Sequence, residues 1–465
     1  MFEQELLAER ARVTPEKLAL VCVETGARLT YAELNAGAER AAAMLASKGI
    51  EAGDRFGILA HNSIEYLELF FAAGKIGAIV VPLSTRATVH ELAAIARDSG
   101  MKWLYRGDEF PEVPLEPGPT TNDDIYCLLY TSGTTGKPKG VMIPRRQLYW
   151  NGYNTVVNWG LREDDISPIY TPLYHAGGIA AFTIPIFTVG GTIVLFKSFD
   201  PSKIWQTIER ERCTVVLGVP TIWKMLMDAP EFATAKLDHV RWFISGGAPL
   251  PATIAEAYAK RGVPMKQGYG MTEVGVNCFT MTVEESIAKR GSIGRPMMFT
   301  EVRVVDADGN EVPDGEVGEM WIRGPHVSRG YWNNEEATRA AFRDDGFLRT
   351  GDLARRDADG FLTIAGRAKD MFISGGVNVY PAEIEAELVS HPRVADAAVV
   401  AIPDETWGEI GVAFVVGDAT EEDLSSYLSL RIARFKLPKR YLFVDALPRT
   451  PYGKVEKAKL REQLP

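Results

Sequence analysis

The stretch that most constrains this chain is a loop between two short apolar runs, residues 125–130 and 141–143. It reads Thr131-Ser132-Gly133-Thr134-Thr135-Gly136-Lys137-Pro138-Lys139-Gly140. The flanks read as strands and the middle as the turn that joins them. Four hydroxyls, two lysines and three glycines that let the backbone approach a ligand converge on one spot, a donor set suited to a polyphosphate. It is not a P-loop of the Walker type: two residues rather than four separate the first glycines, and Pro138 follows Lys137 where Ser or Thr would stand.

A chain of 465 residues predicts two or more domains. The net charge of −10, with no basic block, argues against nucleic acid as a partner. Cys22, Cys127, Cys213 and Cys278 are widely spaced and form no C-x-x-C pair, which fits a reducing compartment and no structural zinc site. The acidic start lacks a signal-peptide pattern, and the longest apolar stretch, 179–195, is broken by Pro185 and Gly190-Gly191. A cytoplasmic protein with no transmembrane segment is expected, and a homodimer is left open.

Strands and helices alternate at the start. Thr30 with Glu33 reads as a capping box opening a helix that Gly49 and Gly53 end. Residues 55–60 and 78–82 read as strands around a helix over 64–76. Further strands are expected at 169–173, 214–219, 240–244 and 263–266. The pattern predicts an α/β fold of parallel, doubly wound sheets. From 291 to 367 the chain turns β-rich, with Asp-Gly pairs at 308–309, 314–315, 345–346 and 359–360, and predicts a small barrel or sandwich closing the large domain. The segment Gly366-Arg367-Ala368-Lys369-Asp370 marks a boundary between domains 1–368 and 369–465. The second is a small α+β unit, with a helix over 382–388, strands at 394–401 and 412–416, and a helix over 422–433.

Function in open α/β sheets gathers at strand C-termini. Tyr174-His175-Ala176-Gly177-Gly178 places a histidine in a Gly-bounded loop there. Ser245-Gly246-Gly247-Ala248-Pro249 removes side chains where something flat could lie against the backbone. In Gly268-Tyr269-Gly270-Met271-Thr272-Glu273, the phenol ring can stack on a purine, Thr272 offers a hydroxyl to a phosphate and Glu273 an oxygen to Mg2+. Arg349-Thr350-Gly351-Asp352 and Pro448-Arg449-Thr450-Pro451-Tyr452-Gly453-Lys454 stand out later.

In this order and spacing, these motifs resemble the adenylate-forming superfamily of acyl-CoA synthetases, luciferases and peptide-synthetase adenylation domains, nearest to the fatty-acid–CoA ligases. The resemblance implies ATP and Mg2+ as cofactors, CoA as acyl acceptor and a fatty or aromatic carboxylic acid as substrate. It implies that residues 131–137 hold the β- and γ-phosphates. Gly247, Ala248 and Pro249 would face adenine, and Gly268 to Met271 would continue the nucleotide site. Asp352 would accept the ribose hydroxyls, and Arg367 would reach the nucleotide. Lys454 would be the catalytic cation, with Thr272 and Glu273 at the α-phosphate and metal, carried by a C-terminal domain that pivots at Lys369. His175, Gly178, Trp223, Gly246 and Val274 would line the acyl pocket together with Gly270, the small residues leaving room for a long or flat acid. Gly375, Gly376, Trp407, Phe435 and Lys439 would meet CoA.

Two departures from the family pattern accompany this: Leu437 stands where an arginine meets CoA, and Pro144-Arg145-Arg146-Gln147 replaces a Ser/Thr-His pair. The runner-up is a stand-alone enzyme that loads an aryl or amino acid onto a carrier protein. No Asp lies between Tyr170 and Lys197 to pair a substrate ammonium, which disfavours amino acids. A non-catalytic nucleotide-binding relative is disfavoured by the intact Glu273 and Lys454.

Overall fold

The computed structural model describes residues 5–107, 109–121, 124–132, 138–449 and 455–464. The expected capping box is present: Thr30 and Glu33 cap the helix Tyr31–Ser47 reciprocally. The helix Ile64–Ile76 starts at a Ser63 cap and stops at Gly77, which adopts the left-handed conformation. Both helices turn Leu34, Ala38, Leu45, Leu67 and Phe70 into one core with Phe56, Ile58 and Val80 of the adjacent sheet. That sheet runs Trp103–Arg106, Arg55–Leu59, Ile79–Pro82, Cys127–Ser132 and Pro138–Ile143. Its pairs are parallel except the last, the antiparallel pair that flanks the Gly/Thr loop.

A second sheet orders Arg28–Thr30, Leu18–Cys22, Thr192–Leu195 and Ile166–Ile169. Beside it lie three parallel strands, Val215–Gly218, Trp242–Ser245 and Met265–Gln267. The strand expected over 169–173 instead spans Ile166–Ile169. Pro172 has no N–H to give a ladder, and the Asn62 side chain takes over, accepting from Leu173 N at 2.8 Å and donating to Thr171 O at 3.0 Å. The chain therefore leaves the sheet early and turns toward His175.

The β-rich stretch forms an antiparallel sheet of Glu301–Val305, Val317–Arg323, Leu348–Arg356 and Leu362–Arg367. The four Asp-Gly pairs serve its turns, each glycine at φ between 82° and 93°. The last part of the chain builds a sheet from Val377–Val379, Phe372–Ser374, Gly408–Gly417 and Val394–Asp404, with Arg440–Phe443 also paired to Gly408–Gly417. Helices Pro381–Val389 and Glu421–Ser429 cover it through Ile384, Leu388, Leu424 and Leu428, a core of its own. Among the described residues, no helix is long and apolar enough to cross a membrane.

Lys266, on the strand Met265–Gln267, is only 5% exposed, its ammonium 4.5 Å from the Trp242 ring centroid. Burial, then Arg241, pushes its pKa down from 10.5 to about 8. The folded chain thus binds fewer protons than the unfolded one between about 8 and 10.5, so stability rises with pH across that window. Below it the cost of the buried charge is fully present. Lys266→Met is expected to stabilise the protein at pH 7 by about 1 kcal/mol or more, after loss of the cation–π contact. The gain should vanish above pH 10.5. Denaturant melts at both pH values check it.

Candidate active site

The parallel strands Val215–Gly218, Trp242–Ser245 and Met265–Gln267 end side by side. Gly246 N donates to Gly218 O at 3.0 Å, and Gly268 N donates to Ser245 O at 2.8 Å. A Cβ on Gly246 would meet nothing nearer than Gly268 O at 4.0 Å, so this shelf has room above it. Gly247, Ala248 and Pro249 continue it and are exposed. From the same edge Tyr269 reaches the antiparallel sheet, where its hydroxyl donates to Asp352 Oδ2. Asp352 is 4% exposed, and its Oδ1 lies 2.5 Å from Arg367 Nε. Burial and then Asp352 hold the Tyr269 phenol well above its ordinary pKa, so it remains a donor. Phenol, carboxylate and guanidinium, predicted separately along the chain, thus form one unit.

Thr272 and Glu273 lie in a single 3₁₀ turn, Thr272–Val274. Three successive carbonyls of this turn are held: Thr272 O accepts from Gln147 Nε2 at 2.9 Å, Glu273 O from Ser328 N at 2.7 Å and Val274 O from His326 Nδ1. Glu273 is 6% exposed, and its Oε1 accepts from the Tyr331 hydroxyl at 3.1 Å. A buried, hydrogen-bonded carboxylate beside a hydroxyl residue has the oxygen chemistry that Mg2+ requires when phosphates and water complete its shell.

His175 caps a helical segment, its Nδ1 accepting from Gly177 N at 3.0 Å, which places the proton of the neutral ring on Nε2. The helix then takes a π turn over Ile179–Thr183, a geometry frequent at functional sites. The carbonyls of Ala180 and Ala181 accept from Asn151 Nδ2 at 2.7 Å and Asn277 Nδ2 at 2.8 Å. Four expected pocket residues have other reasons for their identity. A Cβ on Gly178 would lie 2.1 Å from Pro172 O, and one on Gly270 2.3 Å from Val276. Backbone packing therefore demands these glycines, which do not make room for substrate. Trp223 is fully buried, stacked on Phe243 at 5.2 Å, and Val274 is fully buried in the core of the antiparallel sheet. Among the expected small residues, Gly246 is the one that leaves open space.

Comparison with known proteins bears directly on this arrangement. The family model for AMP-binding enzymes matches residues 7–114 and 104–332, and that for the AMP-binding enzyme C-terminal domain matches 383–454. The chain belongs to the AMP-binding enzyme family. It is 39% identical over 480 residues to a feruloyl-CoA synthase from Amycolatopsis, covering 98% of this chain and 97% of the relative. To the long-chain-fatty-acid–CoA ligase FadD13 of Mycobacterium tuberculosis it is 38% identical over 497 residues, again covering 98% and 97%. The o-succinylbenzoate CoA synthetase of Bacillus subtilis, solved with its acyl-adenylate intermediate, superposes with a TM-score of 0.90 at 33% identity over 98% of both chains. The same enzyme has been solved with ATP and magnesium. This family member is accordingly an AMP-forming acid–CoA ligase: it activates a carboxylic acid with ATP and passes the acyl group to CoA, using Mg2+.

In the ligase, three of the residues expected at CoA come together. Gly375 N donates to Trp407 O at 2.8 Å, a Cβ on Gly375 would lie 2.9 Å from the Trp407 ring, and the Lys439 ammonium sits 5.1 Å from that ring's centroid. Trp407 is 42% exposed. Gly376 follows in the same turn, and Phe435 instead packs on the C-terminal core. Lys369 is exposed in the turn between Leu362–Arg367 and Phe372–Ser374. Thr131 lies at the end of its strand. Gly133, Thr134, Thr135, Gly136, Lys137 and Lys454 lie outside the described residues, as does the Ser132 side chain.

The departing segment 144–147 now has an account. Arg145 donates to Gly74 O at 2.8 Å, Arg146 to Pro325 O at 2.5 Å, and Gln147 holds Thr272 O. Gln147, Asn151, Asn277, His326 and Tyr331 are contributors that the sequence reading missed. Tyr331 and His326 each follow a glycine or Gly-Pro in turn-rich sequence, the one signal that could have drawn attention to them.

Proposed function

We propose that the ligase takes an aromatic or fatty acid, that the Tyr269–Asp352–Arg367 unit binds the nucleoside, and that residues 131–137 hold the leaving pyrophosphate. The observation carrying this reading is the Tyr269–Asp352–Arg367 unit, whose Tyr269 lies one residue past the glycine that borders the open shelf at Gly246 and three residues before the Thr272-Glu273 turn. A carboxylate oxygen attacks the α-phosphorus and pyrophosphate leaves; the CoA thiolate then attacks the acyl carbon and AMP leaves. Charge concentrates at the α-phosphate in the first step, so fixed donors and cations aimed there contribute most. Thr272 supplies a hydroxyl, Lys454 an ammonium and Glu273 a ligand for Mg2+. The metal, when bound, neutralises phosphate charge.

The nucleotide-binding part is taken as 1–368 and the mobile part as 369–465, pivoting at Lys369. A cytoplasmic location belongs to the same proposal, supported by four cysteines that are all buried and unpaired. The exposed His175 ring, at the start of a largely apolar helix, offers one donor, which suits an apolar acid whose carboxylate end alone needs one. His175→Ala should change the ranking of acids by kcat/KM and leave the KM for ATP within about twofold. Steady-state assays across aryl and fatty acids check this, and a large loss of ATP affinity would move His175 to the nucleotide.

A further inference from the structure

The segment Ser328–Trp332 is hydrogen-bonded on two sides. On one, Ser328 N donates to Glu273 O. On the other, the segment extends the strand leaving the phosphate loop: Arg329 N donates to Met142 O at 3.0 Å, Met142 N to Gly330 O at 2.9 Å and Trp332 N to Gly140 O at 2.7 Å. Tyr331 pairs with Val141 in this register. Its ring lies 5.2 Å from the Lys139 ammonium, and its hydroxyl ends on Glu273 Oε1. One tyrosine therefore touches the strand that leaves the phosphate loop and the carboxylate assigned to the metal.

The same turn is gripped from two other elements. Gln147, 3% exposed, comes from the helix Arg145–Trp159 that follows the phosphate-loop hairpin. His326 is fully buried, with Nδ1 donating to Val274 O and Nε2 2.8 Å from the Thr300 hydroxyl, which accepts from Asn154 at 3.1 Å. With Nδ1 protonated, Nε2 can accept from Thr300, and every polar atom of the ring has a partner.

We propose that Tyr331, Gln147 and His326 are positioning residues for the Thr272-Glu273 turn, Tyr331 orienting the Glu273 carboxylate and the other two holding the main-chain carbonyls of Thr272 and Val274. The proposal rests on the reading above that Glu273 serves the metal. Removing one hydroxyl that orients a metal-ligating carboxylate typically lowers metal affinity or activity by about 10–100-fold.

The test is titration calorimetry of the full chain with ATP and no acid, in Mn2+ and again in EDTA, for the wild type, Tyr331→Phe, Gln147→Met and Glu273→Gln. Tyr331→Phe is expected to lose roughly tenfold in affinity for Mn2+·ATP. Its affinity for metal-free ATP and its melting temperature should stay close to wild type, with Gln147→Met a weaker version of the same. As a second readout, acyl-AMP formation should fall, while thioester formation from pre-made acyl-AMP should not. If Glu273→Gln loses the metal-dependent gain and Tyr331→Phe keeps it, or loses both affinities alike, the positioning role is overturned and the Glu273 reading stands. If Glu273→Gln itself keeps that gain, the Glu273 reading fails first.

Discussion

Lys454→Ala is expected to lower acyl-AMP formation by on the order of 10²–10³-fold while thioester formation from pre-made acyl-AMP stays near wild type. The asymmetry follows from where charge develops. In the first half-reaction it gathers on the α-phosphate and the departing pyrophosphate, and a fixed ammonium stabilises it more in the transition state than in bound ATP. In the second it gathers at the acyl carbonyl and the departing AMP, a step for which the proposed pivot at Lys369 would turn a different face of the C-terminal part to the site. The residues on either side of Lys454 fit such a presentation: Arg449 pairs with Val455, and Glu456 N donates to Pro448 O at 2.8 Å. These two contacts hold the described ends of the segment to each other, and Asp396 on the strand Val394–Asp404 is the ion partner of Arg449. Rapid-quench assays of the separate half-reactions make the comparison. Equal loss in both would undo the pivot at Lys369.

Asp352→Ala should weaken ATP binding on the order of 10²-fold. The carboxylate is buried and holds two partners, the Tyr269 hydroxyl and the Arg367 guanidinium. Hydrogen bonds to a charged group are worth about 1.5–3 kcal/mol each, and truncation also leaves the phenol and the cation without their acceptor. Asp352→Asn keeps an acceptor oxygen and loses the charge facing Arg367, so an intermediate loss of about tenfold is expected. The KM for the acid should move little in either variant. Equilibrium titration with ATP and a melting curve separate the readings, because a purely structural role would lower the melting temperature and leave the affinity of the folded fraction intact.

The parts of the molecule legible in the sequence share one property: local chemistry determined them. The capping box at Thr30 and Glu33, the bounds of the helix over 64–76 and the Asp-Gly turns need only near neighbours in the chain, and all appear where expected. The motif residues were legible for a related reason, since Tyr269, Thr272 and Glu273 sit within five residues of one another. What the sequence hid depends on distant partners. The pairing of Tyr269 with Asp352 joins residues 83 apart, and the hold of Gln147 on Thr272 joins residues 125 apart. The pocket glycines misled because a small residue has two opposite causes. Gly246 leaves space, whereas Gly178 and Gly270 are small because another stretch of backbone already occupies that space. Trp223 misled similarly: a large aromatic just after a strand end can face a ligand or a core, and here Phe243 and Tyr258 claim it.

The most direct test of the account is a product assay with ATP and a panel of aryl and fatty acids, with and without CoA. Without CoA, the ligase should release about one pyrophosphate per enzyme and retain acyl-AMP. With CoA it should turn over, forming AMP and acyl-CoA in equal amounts, for the acids that its pocket accepts. ADP and phosphate as products, or AMP release that does not depend on CoA, would contradict it.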